Sequence, residues 1–394
     1  MKLLKKSLLL KIVIAILLGA FLNKIIPNSL EGLLDTIGRL SMTFNGLFNN
    51  FLSFAIPLII LGLIVPAIGN IGKEAGKLLL ITTAIAYGST IFAGLISYGI
   101  SEVTFPYIIT PENIAKQEIQ GDEFVPYFQV AMPPIIDVMS ALILSFIVGI
   151  GISRNNLSYL DGVFKDFEKI VTIVINKIII PFLPLLIFGI FLNMAHSGKV
   201  YVILNTFIKI IGVIFFIHIL VLLLQFSIAG TIAKKNPFKL MYNMLPAYFT
   251  ALGTQSSAAT IPVTLKQTLK NGVNPKIANF TIPLCATIHL SGSTLKIVSC
   301  SLALIMLHGE TISTLQMIGF ICMLGITMVA APGVPGGAIM ASLGVLASIL
   351  GFSEEQQNLM IALYIAMDSF GTACNVMGDG AISVVVNKLN KVEV

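Results

Sequence analysis

The chain has 394 residues, 56% hydrophobic and 11% charged, with 24 Lys+Arg against 18 Asp+Glu and a net charge of +6; its mean hydropathy is +0.95. Soluble domains carry about 25% charged residues, so this composition excludes a soluble globular protein and predicts an all-α polytopic membrane protein of roughly eight transmembrane helices plus shorter re-entrant pieces. The basic excess suits cytoplasmic lysines rather than nucleic-acid binding. The four cysteines, Cys285, Cys300, Cys322 and Cys374, lie in apolar stretches without paired spacing and read as small core residues.

In chain order, Lys2, Lys5, Lys6 and Lys11 put the N-terminus in the cytoplasm. The apolar run after them lacks a small-x-small cleavage site and reads as span one, about 8–26, rather than a signal peptide. Span two, about 44–68, is followed by Lys73 and Lys77 on the inside, and span three covers about 76–100. The stretch at about 101–126 holds Glu102, Glu112, Glu118, Asp122 and Glu123 against a lone Lys116, as suits an outer loop. Span four, about 133–152, ends at Arg154. An amphipathic run, Asp161 to Lys169, leads into span five, about 168–194, which contains Pro181 and Pro184. Span six, about 201–232, is closed by Lys234, Lys235 and Lys239.

Beyond span six the pattern breaks. Residues 237–277 are interrupted by Pro246, Gly253 and Pro262, and residues 315–351 by the run Ala331 to Gly337. Each broken segment precedes a span with polar residues at its middle: span seven, about 278–307, split at His289 to Ser293, and the last span, followed by Lys388 and Lys391. Two such Gly/Pro-interrupted segments point to re-entrant hairpins and inverted repeats. In the last span Asp368, Thr372, Asn375 and Asp379 fall at offsets 0, 4, 7 and 11, one polar stripe on one helix face. Ionisable groups at membrane depth mark a substrate or ion path, so this helix is the expected binding element of a transporter. His196, His218 and His308 are scattered, and no Ser/His/Asp set, metal-ligand cluster or paired aspartate motif points to an enzyme. A channel lined by the broken hairpins is the other membrane class these features admit.

Four blocks of residues resemble the dicarboxylate/amino acid:cation symporter family, the sodium:dicarboxylate symporters that include bacterial glutamate-transporter homologues. They are Thr254-Gln255-Ser256-Ser257-Ala258-Ala259-Thr260-Ile261-Pro262-Val263-Thr264, Ile282-Pro283-Leu284-Cys285-Ala286-Thr287-Ile288-His289-Leu290-Ser291-Gly292-Ser293, Gly333-Val334-Pro335-Gly336-Gly337, and the last-span set Asp368, Thr372, Asn375, Gly378 and Asp379. The resemblance implies a homotrimer in the bacterial inner membrane, both termini cytoplasmic, working as an elevator. Its scaffold would be residues 1–75 (spans one and two) and 101–200 (outer loop, spans four and five). Its transport domain would be residues 76–100 (span three) and 201–394 (span six, both hairpins, spans seven and eight).

The resemblance also implies roles. Asp368 matches the carboxylate that holds a substrate amino group, and Asn375 the amide beside it. Gln255, Ser256, Ser257, Ser293, Val334, Gly336, Gly371 and Thr372 fall at positions lining the pocket; for Ser257 and Thr372, helix-packing hydroxyls are the competing reading. Acidic-substrate members carry an arginine three residues after the aspartate or at the first hairpin tip. Here those positions are Gly371 and Gln255, so a small neutral amino acid is expected, with the lost arginine freeing volume for it. Where the family has an asparagine, a methionine and an aspartate that help to build sodium sites, this chain has His289, Leu290 and Ser291. Ser89 and Thr90 keep a hydroxyl pair, Asn375 and Asp379 keep part of another site, and Thr287 part of a third, so sodium remains a candidate ion at Thr287 and Asp379. No other cofactor is implied. Lys296, seven residues after His289, lies on roughly the same helix face. The readings of the pair stay open: a tethered charge near Asp379 in place of sodium, a titrating His289, a second cation for the substrate, or a passive neutral histidine with sodium still coupled.

Overall fold

The computed structural model describes residues 8–26, 31–73, 77–109, 123–198, 200–329, 331 and 335–389. Among these the regular structure is helical throughout. The helices are α1 (Leu8–Ile25), α2 (Glu31–Lys73), α3 (Lys77–Thr104), α4 (Val138–Asn155), α5 (Ser158–Val174) and α6 (Ile180–His196). They continue with α7 (Val200–Ala233), α8 (Pro237–Thr254), α9 (Ser257–Lys270), α10 (Pro275–Ile288) and α11 (Ser291–Leu307). The last four are α12 (Thr314–Val329), α13 (Gly337–Leu350), α14 (Glu354–Ala366) and α15 (Asp368–Leu389).

Among the described residues, six segments are long and apolar enough to cross a membrane: Glu31–Gly69, Leu78–Tyr107, Ser158–His196, Leu204–Ala233, Pro275–Leu307 and Asp368–Leu389. Shorter apolar helices, Leu10–Asn23 and Ile143–Asn155, stand where the first and fourth spans are expected, and Thr314–Val329 and Gly337–Leu350 form the two arms of the second broken segment. Two spans are longer than hydropathy indicates. Residues 31–43 are helical and continuous with the second span, and a five-residue π turn, Ile175–Ile179, joins α5 to α6 without a break. Helix α5 is amphipathic, with Tyr159 and Val163 exposed and Val171 buried, so hydropathy alone starts the span late.

The breaks have local causes. Asn236 caps α8, its side chain accepting from the N–H groups of Phe238 and Lys239, with Pro237 in the first turn where no N–H is needed. The helix ends at Gln255, which is left-handed at φ 53°, and Ser256 caps α9 by accepting from Ala259 N. Gly336 (φ 73°) opens α13 and Gly351 (φ 71°) closes it; glycine takes this conformation without steric cost. A capping box at Ser353 and Gln356 starts α14. That helix stops at Met367, so the last span is two helices in sequence, with Asp368 opening the second.

Two sets of helices pack mainly among themselves. Helix α2 lies on α4, α5 and α6, and α1 lies on α6. Helix α15 lies at the centre of the other set, against α7, α8, α9, α10 and α11, while α3 packs on α11. It is buried along nearly its whole length, Val385 included. Its neighbours are tied to it by Thr281–Ser383 hydroxyls 2.8 Å apart and by Asn274 N–H donating to Asn387 Oδ1 at 2.9 Å.

Candidate functional site

The polar stripe of α15 is fully inside the protein: Asp368, Thr372, Asn375 and Asp379 are 4%, 6%, 2% and 1% exposed. A buried carboxylate needs partners, and each aspartate has found a different one.

Asp368 opens α15, where the positive end of a helix favours an anion. Its Oδ2 accepts the Gly336 N–H at 2.8 Å, so the second hairpin tip is held directly on this carboxylate. Its Oδ1 is 3.7 Å from the Lys296 ammonium. Lys296 donates to the Met367 carbonyl at 3.1 Å and sits 3.9 Å from the centre of the Tyr364 ring. From the first hairpin tip, Gln255 Nε2 donates to Ser369 Oγ at 2.9 Å. Both tips therefore meet at the start of α15.

Two turns deeper, Asn375 Oδ1 accepts the N–H groups of Gly292 (2.7 Å) and Ser293 (3.3 Å), capping the start of α11 from across the interface. Its Nδ2 donates to Ser293 Oγ at 3.2 Å, and Tyr364 Oη donates to the same oxygen at 2.9 Å. Helix α11 comes very close here. A Cβ on Gly292 would lie 2.4 Å from the Gly371 carbonyl and 2.5 Å from Cys374 Cβ. Backbone cannot yield as a side chain does, so Gly292→Ala is expected to cost about 1–3 kcal/mol. The chain has no tryptophan, so the readout is helical circular dichroism on heating in detergent.

Asp379 meets His289. Nδ1 of the imidazole lies 2.9 Å from Asp379 Oδ1, and both groups are sealed from solvent. On the far side His289 Nε2 is 3.1 Å from Ser89 Oγ. Gln225 Nε2 donates to Ser89 Oγ at 3.0 Å and to Ser291 Oγ at 3.1 Å. The donors run in one direction, Gln225 to Ser89 to His289 to Asp379, which satisfies a neutral imidazole at both nitrogens. Asp379 Oδ2 and Gln225 Oε1 have no hydrogen-bond partner.

The remaining expected residues divide. Ser257 and Thr372 are buried near the tips, and Thr372 Oγ1 donates to the Asp368 carbonyl at 3.0 Å. Thr90 bonds its own helix at the Ala86 carbonyl, and Thr287 is exposed with its hydroxyl on the Leu284 carbonyl; neither is joined to Asp379 by a hydrogen bond. Val334 lies outside the described residues.

Two readings need correction. Lys296 is not the charge near Asp379, since it pairs with Asp368; among the described residues it is His289 that reaches Asp379. Gly371 does not free volume, because a Cβ there would lie 2.2 Å from Lys296 Nζ and 2.3 Å from Cε. The space beside this glycine is filled by the lysine. Tyr364, Met367 and Gln225 belong to the site and escaped the sequence reading. Tyr364 precedes Asp368 by four residues, and Gln225 is a polar residue inside an apolar span; both were usable signals.

Broken helices meeting around buried, opposed charges, in a chain with several apolar spans, define a multi-pass membrane carrier rather than an enzyme. The chain matches the sodium:dicarboxylate symporter family over residues 8–389 and belongs to that family. It is 26% identical to the serine/threonine transporter SstT of Acinetobacter baumannii, over 97% of this chain and 96% of that protein. With the transporter of the same name from Acinetobacter baylyi the identity is 27%, over 99% of each. Excitatory amino acid transporter 3 of Mus musculus is 33% identical over 41% of this chain and 31% of its own length.

Proposed function

We propose that this protein is a secondary active transporter that moves a small neutral amino acid across the bacterial inner membrane, with cation coupling altered at Asp379. The observation that carries this is the meeting of both hairpin tips at Asp368, with the Gly336 amide and the Gln255–Ser369 contact closing on it. Asp368 holds the substrate ammonium. Asn375, Ser293 and Thr372 line the pocket together with Gln255, Ser256, Ser257, Gly336 and Gly371. The serine/threonine transporters matched over nearly the whole chain support a neutral substrate.

The mechanism is an elevator within a homotrimer, on eight spans and two re-entrant hairpins. Helices α1, α2, α4, α5 and α6 form the scaffold, and α3 with α7 to α15 the moving transport domain. The preference of each set for packing within itself supports this division. Hairpin two, α12 and α13, is the gate, with Gly336 at its hinge. Both termini lie in the cytoplasm.

Coupling differs because His289 takes a place beside Asp379 that a hard cation would otherwise share with oxygen ligands. The donor set is poor for sodium: an imidazole nitrogen already directed at Oδ1, with Oδ2 alone unengaged. Uptake into proteoliposomes with and without a sodium gradient tests this reading. His289→Asn with Ser291→Asp is expected to raise sodium dependence. Strict dependence of the unaltered protein on more than one sodium per substrate would refute altered coupling.

A second reading, sodium-coupled carriage of an acidic amino acid or dicarboxylate, is favoured by one observation. Lys296 brings a cation to the space beside Gly371. Stabilisation by aspartate, and not by serine or threonine, in a thermal-shift panel would select it.

A further inference from the structure

Lys296 is the sole charged residue of α11, is 2% exposed, and has its ammonium directed at the break between α14 and α15. Its nearest partner is a carbonyl, Met367 O at 3.1 Å; Asp368 Oδ1 is farther, at 3.7 Å, beyond hydrogen-bond reach. The two charges therefore balance each other without being bonded. That is an ion pair with room to open. Gly371 is what lets the ammonium sit there, since any side chain at that position would displace it.

The charge count limits what can enter. Asp368 and Lys296 sum to zero, and a buried net charge at membrane depth is costly. A ligand with one ammonium and one carboxylate keeps the sum at zero while giving each protein charge a new partner. An acidic amino acid leaves a surplus negative charge, and a simple amine a surplus positive one. Ser293 lies about one turn before Lys296 on α11, and its hydroxyl accepts from both Tyr364 and Asn375, while Lys296 sits over the ring of the same tyrosine. A hydroxyl that accepts twice still has its own proton to donate, here to an incoming carboxylate.

We infer that Lys296 is a specificity-determining residue that stands in for the substrate ammonium at Asp368 in the empty carrier and turns to the substrate carboxylate when a zwitterion enters between them. This rests on the amino-acid carrier reading above and adds to it the residue that demands a zwitterion. It also gives the empty carrier a neutral pocket during its return, with no external cation needed at Asp368.

The test measures binding of L-serine, ethanolamine (the same molecule without its carboxylate) and L-aspartate to the purified full-length protein in detergent by isothermal titration. The unaltered protein is expected to bind serine and to reject ethanolamine and aspartate. Lys296→Met keeps the length of the side chain and removes the charge; it is expected to raise the ratio of ethanolamine to serine affinity about a hundredfold. If that variant does not fold, Lys296→Gln carries the same comparison. An unchanged ratio in a folded variant that still binds serine overturns the role of Lys296 and leaves the carrier reading intact. Failure of the unaltered protein to bind any amino acid would instead overturn the carrier reading.

Discussion

An Asp368→Asn carrier is expected to bind its amino acid about thirtyfold to several thousandfold more weakly than the unaltered protein, because one partner of a buried, hydrogen-bonded charge pair is worth about 2–5 kcal/mol. Asparagine is nearly isosteric, and its amide oxygen can still accept the Gly336 N–H that holds the hairpin tip on Asp368. What it loses is the charge. A substrate ammonium then has only neutral acceptors, and Lys296, 3.7 Å away, has no counter-charge. Part of the loss could come from a weakened fold, and a second variant separates the two. Asp368→Asn with Lys296→Met removes both charges together, so its thermal midpoint is expected to recover while serine binding stays lost. Binding of the zwitterion by the double variant at the original affinity would show that Asp368 does not hold the ammonium. The measurements are isothermal titration and circular dichroism on heating.

His289→Leu is expected to produce a large loss of stability, about 3 kcal/mol, since it takes from a buried carboxylate its hydrogen-bond donor. Asp379 is 1% exposed and His289 donates to its Oδ1 at 2.9 Å, while Oδ2 has no hydrogen-bond partner among the described residues. Without the imidazole the whole carboxylate is left bare in the interior of α15. Ser89 and Gln225 lose the acceptor at the end of their donor chain as well. Replacing both members, His289→Leu with Asp379→Leu, is expected to recover most of the stability, because an apolar pair of similar volume needs no partner. The double variant should nevertheless lose coupled uptake. Equal stability of the single and double variants would mean that the histidine and aspartate do not act as a pair. Sodium rescuing the thermal midpoint of His289→Leu would show that the vacated position accepts the ion, in line with the sodium sites of the family.

The polar stripe of α15 was legible because spacings of 4, 3 and 4 residues repeat the helical turn whatever the surroundings. The breaks were legible only in part: Gly336, in the expected run Ala331 to Gly337, does open a helix, but Pro246 and Pro262 lie inside α8 and α9, and the first broken segment turns instead at the left-handed Gln255. The break at Met367 was not seen, although Ser353-Glu354-Glu355-Gln356 announces a helix start well before Asp368. An uninterrupted apolar run hid where one helix stopped and the next began.

The pairing of charges escaped the sequence for a specific reason. Lys296 follows His289 by seven residues, two turns of a continuous helix, which would put them on one face. The chain is not continuous there. His289 is extended, at φ −111° and ψ 99°, and α11 starts only after Leu290, so helical counting does not connect the two residues. One consequently meets Asp379 and the other Asp368, three turns apart on α15.

By itself, the sequence determined the membrane class, the family and the polar stripe of the last span, since each of these depends on composition or on contacts within a few residues. Only the tertiary structure decided which partner meets which carboxylate and what fills the space beside Gly371. Those depend on where α11 crosses α15, a distance between residues more than seventy positions apart that no local pattern carries.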